Sequence, residues 1–168
     1  MNLNTKRLCR AGIIAAAYAA LTLAFFPVAF GPIQIRPAEA LTILPLFFFE
    51  SVPALFIGCL IANLLSPYGF IDITMGSLTT LLAAVTTYYI GKLLKKDLIK
   101  VIFGGLPPVL LNAFILPIVW ALAGGNGAFF INFFPILATQ TVFVYALGVP
   151  LYYSINSLQK KDNRIFMD

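Results

Sequence analysis

The side chains that could do chemistry in this chain are few, and they stand within or beside long apolar runs. The main candidates are Arg36, Glu39, Asn63, Asp72, Asn112 and Gln140. Polar groups at membrane depth are costly, so residues of this kind are candidates for contact with a solute. Carboxylate and guanidinium groups form charge-assisted hydrogen bonds, and an amide offers both a donor and an acceptor. These residue types predict a binding site for a polar ligand.

Arg36 and Glu39 are the main candidate pair for binding a ligand. They are three residues apart, so a helical turn would place them on one face, where they pair or together clamp a ligand. An ordinary ion pair at the level of the lipid headgroups is the alternative. Gln34 lies beside them between apolar runs, which favours a ligand.

The other candidates have simpler alternatives. Asp72 is equally well explained as a helix cap, and Asn63 as the end of a helix. Asn112 and Gln140 lie about a dozen residues into their apolar runs, where an amide can instead form a hydrogen bond between helices. Trp120 is typical of an aromatic belt, although an indole beside a pocket can stack on a flat ring.

The composition predicts an integral membrane protein. Of 168 residues, 61% are hydrophobic and only 10% are charged, which is too much apolar surface for one small soluble core. The net charge of +5 is explained by basic residues that flank the apolar spans, so nucleic-acid binding is not expected. With no histidine and two unpaired cysteines, Cys9 and Cys59, we expect neither a metal nor a resident cofactor.

Ten of the eleven basic residues form three clusters, at 6–10, 92–100 and 160–164. The positive-inside rule places all three on the cytoplasmic side. This requires the region 41–65 to cross twice, with a break where Ser51 caps a new helix and Pro53 enters its first turn. We therefore predict an all-α protein with both termini cytoplasmic and six transmembrane helices, over about 11–30, 40–49, 52–66, 72–91, 101–123 and 128–156, with Gly124–Gly127 as an outer hairpin.

The first helix carries small residues in two rows spaced by four. Such rows permit close helix approach, either within the protein or with another membrane subunit. The rows are Ala11, Ala15 and Ala19, and Gly12, Ala16, Ala20 and Ala24.

Three stretches of the chain resemble the QueT-type queuosine-precursor transporters, which are substrate-binding (S) components of energy-coupling factor importers. They are 33–45 (IQIRPAEALTILP), 55–64 (LFIGCLIANL), and Asp72 with 76–83 (GSLTTLLA). The Arg-x-x-Glu-Ala-Leu block at 36–41 is the most specific part. Pro37 departs from the family, where a small polar residue is usual.

The resemblance implies a multi-pass protein of the bacterial cell membrane that binds a deazaguanine base from outside. It implies docking to a transmembrane coupling subunit carrying two ATPases, through small residues of the first helix, here Ala11, Ala15, Ala16, Ala19 and Ala20. Glu39 would accept hydrogen bonds from the ring N–H and amine of the base, and Asn112 or Gln140 would match its carbonyl and remaining nitrogens. Arg36 would orient Glu39 or contact that carbonyl.

Two other functions remain open. A self-contained transporter would need its own energy source, but the chain has no phosphate-binding G-x-x-x-x-G-K-[ST] loop and no buried acid and histidine chain for proton coupling. A small membrane enzyme would need a nucleophile with a base or a metal site, which this polar set does not provide.

Overall fold

The computed structural model describes residues 3–31, 33–122 and 129–161, and every regular element within these ranges is helical. The α-helices are α1 (Leu3–Ala24), α2 (Phe26–Ala29), α3 (Ser51–Asn63), α4 (Gly69–Ile71), α5 (Ser77–Leu93), α6 (Asp97–Leu122), α7 (Phe129–Thr141) and α8 (Gly148–Lys161). A 3₁₀ helix covers Pro37–Leu46, and π-helical segments cover Asp72–Gly76 and Val142–Leu147. The predicted all-α fold is confirmed.

Within these described ranges, four helical stretches are long and apolar enough to cross a membrane: Thr5–Ala24, Gly69–Leu93, Asp97–Leu122 and Phe129–Lys161. In two of them a π segment joins neighbouring α-helices into one rod. The 3₁₀ helix and α3 are also apolar but shorter. Six crossings therefore remain a prediction, and the predicted hairpin at Gly124–Gly127 lies outside the described residues.

The 3₁₀ helix and α3 lie beside each other and are antiparallel. Arg36, at the start of the 3₁₀ helix, donates from Nη2 to Oδ1 of Asn63 at the end of α3, at 2.7 Å. Glu50, in the bend between them, pairs with Arg10 of α1 at 2.7 Å. Because a 3₁₀ helix rises about 2 Å per residue, its ten residues extend about 20 Å, like thirteen residues of α-helix.

Three local predictions differ from the structure. The second helix, predicted at about 40–49, begins earlier, at Pro37, where the fixed φ of proline suits a first helical position. Ser51 does not cap α3: its hydroxyl donates back to the carbonyl of Phe48. Asp72 does not cap a helix either, because it lies inside the continuous stretch Gly69–Leu93 and its carboxylate accepts a hydrogen bond from Ser66. Asn63 ends α3 as predicted.

Close backbone contacts set the spacing of the helices. A Cβ added at Gly58 of α3 would lie only 2.7 Å from the carbonyl oxygen of Ala15 in α1. Farther along, Leu46 lies against Gly91 and Gly104, with an added Cβ at Gly91 only 3.0 Å from the Leu46 Cα. The end of the 3₁₀ helix is therefore level with the connection between α5 and α6.

That level carries the charged groups of one end of the bundle. Asp97, at the start of α6, accepts hydrogen bonds from Tyr152 and Asn156 of α8, both at 3.0 Å, and lies 3.8 Å from Lys160. We call Arg10, Glu50, Asp97 and Lys160 the basic end. The opposite half of the bundle holds the candidate site.

Candidate functional site

Arg36 is buried in the half of the molecule opposite the basic end. It is 4% exposed, immediately precedes the 3₁₀ helix, and stacks its guanidinium 4.7 Å from the ring centre of Phe30. Its Nη2 donates to Asn63. The Asn63 amide in turn donates to the backbone carbonyl of Asp72 at 3.2 Å, so Arg36, Asn63 and Asp72 form a connected chain.

Glu39 is the centre of a second chain. Its side chain is buried, and Oε1 accepts a 2.7 Å hydrogen bond from the hydroxyl of Tyr18 in α1. Oε2 accepts from Asn112 of α6 at 3.4 Å, and the Gln140 side chain also forms a hydrogen bond with the carboxylate. Arg36 interacts electrostatically with Glu39. Side chains from α1, α6 and α7 therefore converge on this carboxylate. We call Arg36, Glu39, Asn63, Asn112 and Gln140 the polar layer.

One helical turn connects Arg36 and Glu39, because the Glu39 N–H donates to the Arg36 carbonyl at 3.0 Å. Arg36 lies outside the 3₁₀ helix and Glu39 inside it, and each has different hydrogen-bond partners. Both are nevertheless in the same buried layer, together with two amides that come from distant parts of the chain.

The Asp72 carboxylate binds the turn that follows α3 and also interacts electrostatically with Arg36. Its Oδ2 accepts a hydrogen bond from Ser66 at 2.5 Å, and the same hydroxyl accepts from the backbone N–H of Tyr68 at 3.3 Å. Asp72 therefore holds the turn between α3 and α4. Gly76 allows this arrangement, since an added Cβ would lie 2.9 Å from the Asn63 amide nitrogen and 3.1 Å from Asp72 Oδ1.

Several buried polar atoms near the polar layer have no hydrogen-bond partner among the described residues. They are Nε of Arg36, Oε1 of Gln140, Nε1 of Trp120 and both side-chain polar atoms of Gln34. Buried polar groups in proteins are nearly always paired. This set offers donors and acceptors to a ligand with a polar edge.

An aromatic pair lies between the polar layer and the turn that joins α3 to α4. Trp120, 2% exposed, stacks on Tyr68 with ring centres 4.6 Å apart and planes 11° from parallel. Leu116 and Ile136 pack with Trp120. Leu116 lies one helical turn after Asn112, and Ile136 lies one helical turn before Gln140. Trp120 is thus a buried neighbour of the site and does not face lipid as a belt residue would.

Sequence reasoning missed Tyr18 and Cys59. The Cys59 thiol accepts contacts from Asn63 at 3.4 Å and Thr80 at 3.2 Å, which orients the amide that binds Arg36. A phenol in the middle of the first apolar run was the available signal for Tyr18, because a buried Tyr hydroxyl usually finds a partner. No comparable signal marked Cys59, which is a common core residue.

The two rows of small residues on α1 face different ways. Ala11, Ala15 and Ala19 turn toward the protein, and Ala11 and Ala15 pack on the core that includes α3. Gly12, Ala16, Ala20 and Ala24 are exposed, with open space around Gly12. The exposed row is a smooth strip along the outside of the bundle.

Comparison with known proteins identifies similar chains. The family model described as "QueT transporter" matches residues 8–157. The chain is 38% identical over 71 residues to the queuosine precursor transporter QueT of Lactococcus lactis subsp. cremoris (strain MG1363). That stretch covers 41% of this chain and 41% of that relative, so the match spans about two fifths of the relative's length. No solved structure matches the chain.

Proposed function

The chain belongs to the QueT transporter family, and we propose that it is the membrane subunit that binds a queuosine precursor, a deazaguanine base, for an energy-coupling factor importer. The observation that carries the proposal is the polar layer. It contains a buried carboxylate, a guanidinium and three amides, and Arg36 Nε and Gln140 Oε1 have no partners among the described residues.

A guanine-like base matches these groups. Its ring N–H and exocyclic amine are adjacent donors, which a carboxylate can accept together. Glu39 Oε2 has capacity for them, because the bond from Asn112 is long at 3.4 Å. The carbonyl of the base then has the Arg36 N–H and the amide N–H groups as donors, and the flat ring has Trp120 close by.

Binding of free bases to the purified protein tests this proposal. We expect 7-deazaguanine and guanine to bind by calorimetry more tightly than adenine, which presents an acceptor where guanine has the ring N–H. Hypoxanthine, which lacks the exocyclic amine, should lie between them. Failure of the wild-type protein to bind any deazaguanine base would reject the proposed substrate class.

The variant Glu39→Gln sharpens the test. It replaces one acceptor oxygen with donors that face the donors of the base. Leaving buried groups unpaired costs about 1 to 3 kcal/mol, which weakens binding several-fold to about a hundredfold. The loss should be larger for guanine than for hypoxanthine, since one of the two bonds is absent from the latter. Glu50→Gln, at the basic end, is the matched control and should bind normally. Unchanged affinity in Glu39→Gln would remove Glu39 from the site.

The exposed row on α1 supports docking to a coupling subunit, because small residues allow another helix to approach closely. We expect Ala16→Leu or Ala20→Leu to reduce co-purification with that subunit and uptake in cells while base binding is kept. Ala15→Leu serves as the internal comparison, since Ala15 lies against Gly58 and its enlargement should impair folding. Uptake into liposomes without ATPase partners would instead favour a self-contained transporter.

Six crossings with both termini in the cytoplasm complete the proposal. This topology is supported by the positions of the charged residues. Arg10, Glu50, Asp97 and Lys160 lie together at the basic end, whereas Arg36 lies in the opposite half of the bundle. In a cysteine-free background, a cysteine at Tyr68 should react with an impermeant thiol reagent in intact cells, and one at Lys96 should not. Labelling at Lys96 would contradict this topology.

A further inference from the structure

Gln34 combines three unfavourable features. Its side chain is 1% exposed, neither Nε2 nor Oε1 has a partner among the described residues, and its φ of 46° lies in the left-handed region. A turn fixes this backbone, since the Gln34 N–H donates to the Gly31 carbonyl at 3.0 Å and the Ile35 N–H to the Val28 carbonyl at 2.9 Å.

The neighbours of Gln34 show which way it faces. Ile33 and Ile35 border a groove of about 240 Å³ on the outside of the bundle, which is also lined by Ala138, Thr139, Val142 and Phe143. Ile33 is exposed and Ile35 is partly exposed, whereas Gln34 and Arg36 are buried. Gln34 therefore lies on the inner side with Arg36, next to the polar layer.

These features are better explained by ligand binding than by stability. A glycine would adopt the left-handed backbone without strain and would bury no unpaired amide. Strained backbone and unpaired buried groups cluster at functional sites, where a ligand offsets them. Arg36 Nε and Gln140 Oε1 of the polar layer also have no hydrogen-bond partner among the described residues. Gln34 adds one donor and one acceptor to these unpaired groups.

We propose that Gln34 contacts the substrate and reads the edge of the base where a ring N–H donor stands beside a ring nitrogen acceptor. An amide presents one donor and one acceptor side by side, whereas Glu39 presents acceptors only. In a free guanine-like base the donor–acceptor edge is N9–H with N3, because the ring N–H and amine edge is matched by Glu39. A substituent on N9 removes this donor, so Gln34 would select the free base over its nucleoside.

The inference rests on the proposed function, and Gln34→Gly tests it with two readouts of opposite sign. Without ligand, the variant should unfold at a higher temperature than wild type, by at least about 2 °C, because strain and an unpaired buried amide are removed. Its affinity for 7-deazaguanine should fall at least about tenfold. Ile33→Gly controls for a glycine in the same segment and should lower the unfolding temperature without weakening binding tenfold.

A matched pair of ligands tests the edge. Wild type should bind 7-deazaguanine more tightly than its 9-methyl derivative, and Gln34→Gly should lose most of that difference. Gln34→Asn, which keeps the amide and tolerates a left-handed backbone, should retain part of it. An unchanged affinity in Gln34→Gly, an unchanged preference between the two ligands, or a lower unfolding temperature without ligand would each overturn the role of Gln34. A wild-type protein that binds no deazaguanine base would reject the proposed function as well.

Discussion

The two ends of the bundle differ in how their buried and charged groups are paired. At the basic end, Asp97 has two hydrogen bonds and a nearby lysine, and Glu50 is paired with Arg10. In the polar layer, Glu39 is well supplied with donors, yet atoms of Arg36 and Gln140 lack partners among the described residues. Polar groups at the first end connect helices. Polar groups in the polar layer also have donors and acceptors, unpaired within the described part of the chain, that a ligand can bind.

The largest effect should come from a change that loosens both ends together. Helix α1, which packs on α3, carries both Arg10, which pairs with Glu50 at one end, and Tyr18, which donates to Glu39 at the other. In Gly58→Ala the new Cβ would lie 2.7 Å from the Ala15 carbonyl oxygen, a backbone atom that cannot move alone. We expect a destabilisation of about 1 to 3 kcal/mol, together with weaker base binding, measured by thermal unfolding in detergent and by calorimetry.

Gly12→Ala is the control for this change. Gly12 is in α1, exposed, with nothing within 4 Å of an added Cβ. Alanine in place of a helical glycine should be neutral or stabilising by up to about 1 kcal/mol. Equal unfolding temperatures for the Gly58→Ala and Gly12→Ala proteins would show that the close contact of α1 with α3 does not hold the two ends.

An intermediate effect, confined to the polar layer, is expected from Gly76→Ala. The added Cβ would come within 2.9 Å of the Asn63 amide nitrogen, so the amide that receives the Arg36 hydrogen bond must shift. We expect roughly tenfold weaker binding of 7-deazaguanine with a smaller change in unfolding temperature than Gly58→Ala produces.

The neighbouring substitution Ser77→Ala is matched to it. Ser77 is buried and its hydroxyl has no partner among the described residues, so its removal should leave binding intact. If Ser77→Ala weakens binding as much as Gly76→Ala, the effect comes from general disturbance of this helix and not from the contact with Asn63.

The sequence was informative about the two ends to different degrees. The apolar runs at 72–91, 101–123 and 128–156 overlap the long helical stretches Gly69–Leu93, Asp97–Leu122 and Phe129–Lys161, because the apolar signal is carried by continuous segments. The first span, predicted at 11–30, is displaced by six to eight residues from α1, which covers Leu3–Ala24. The 3₁₀ form of Pro37–Leu46 was not predictable, since nearly all its residues are apolar or small and show no helical period. The caps assigned to Ser51 and Asp72 were wrong because a nearby carbonyl and a nearby hydroxyl bind these side chains instead.

The site was predictable as a set of residues but not as an arrangement. Polar residues within apolar runs pointed to Arg36, Glu39, Asn112 and Gln140. The bond between Asn112 and Glu39 joins residues 73 positions apart, and only the packing of α6 against the 3₁₀ helix brings them together. The distinction between the inward and outward rows of α1 also required the position of α3.

The smallest effect should come from breaking one contact of the basic end alone. Lys160 lies 3.8 Å from Asp97, and the two side chains are 72% and 42% exposed. Exposed ion pairs of this kind contribute about 0 to 1 kcal/mol and are screened by salt. Asp97 also keeps its bonds from Tyr152 and Asn156. Lys160→Ala should therefore lower the unfolding temperature slightly in low salt, by an amount that disappears in about 1 M salt, and should not change the affinity for 7-deazaguanine. A tenfold loss of affinity in this variant would mean that the basic end is coupled to the polar layer, and the division between the two ends would have to be abandoned.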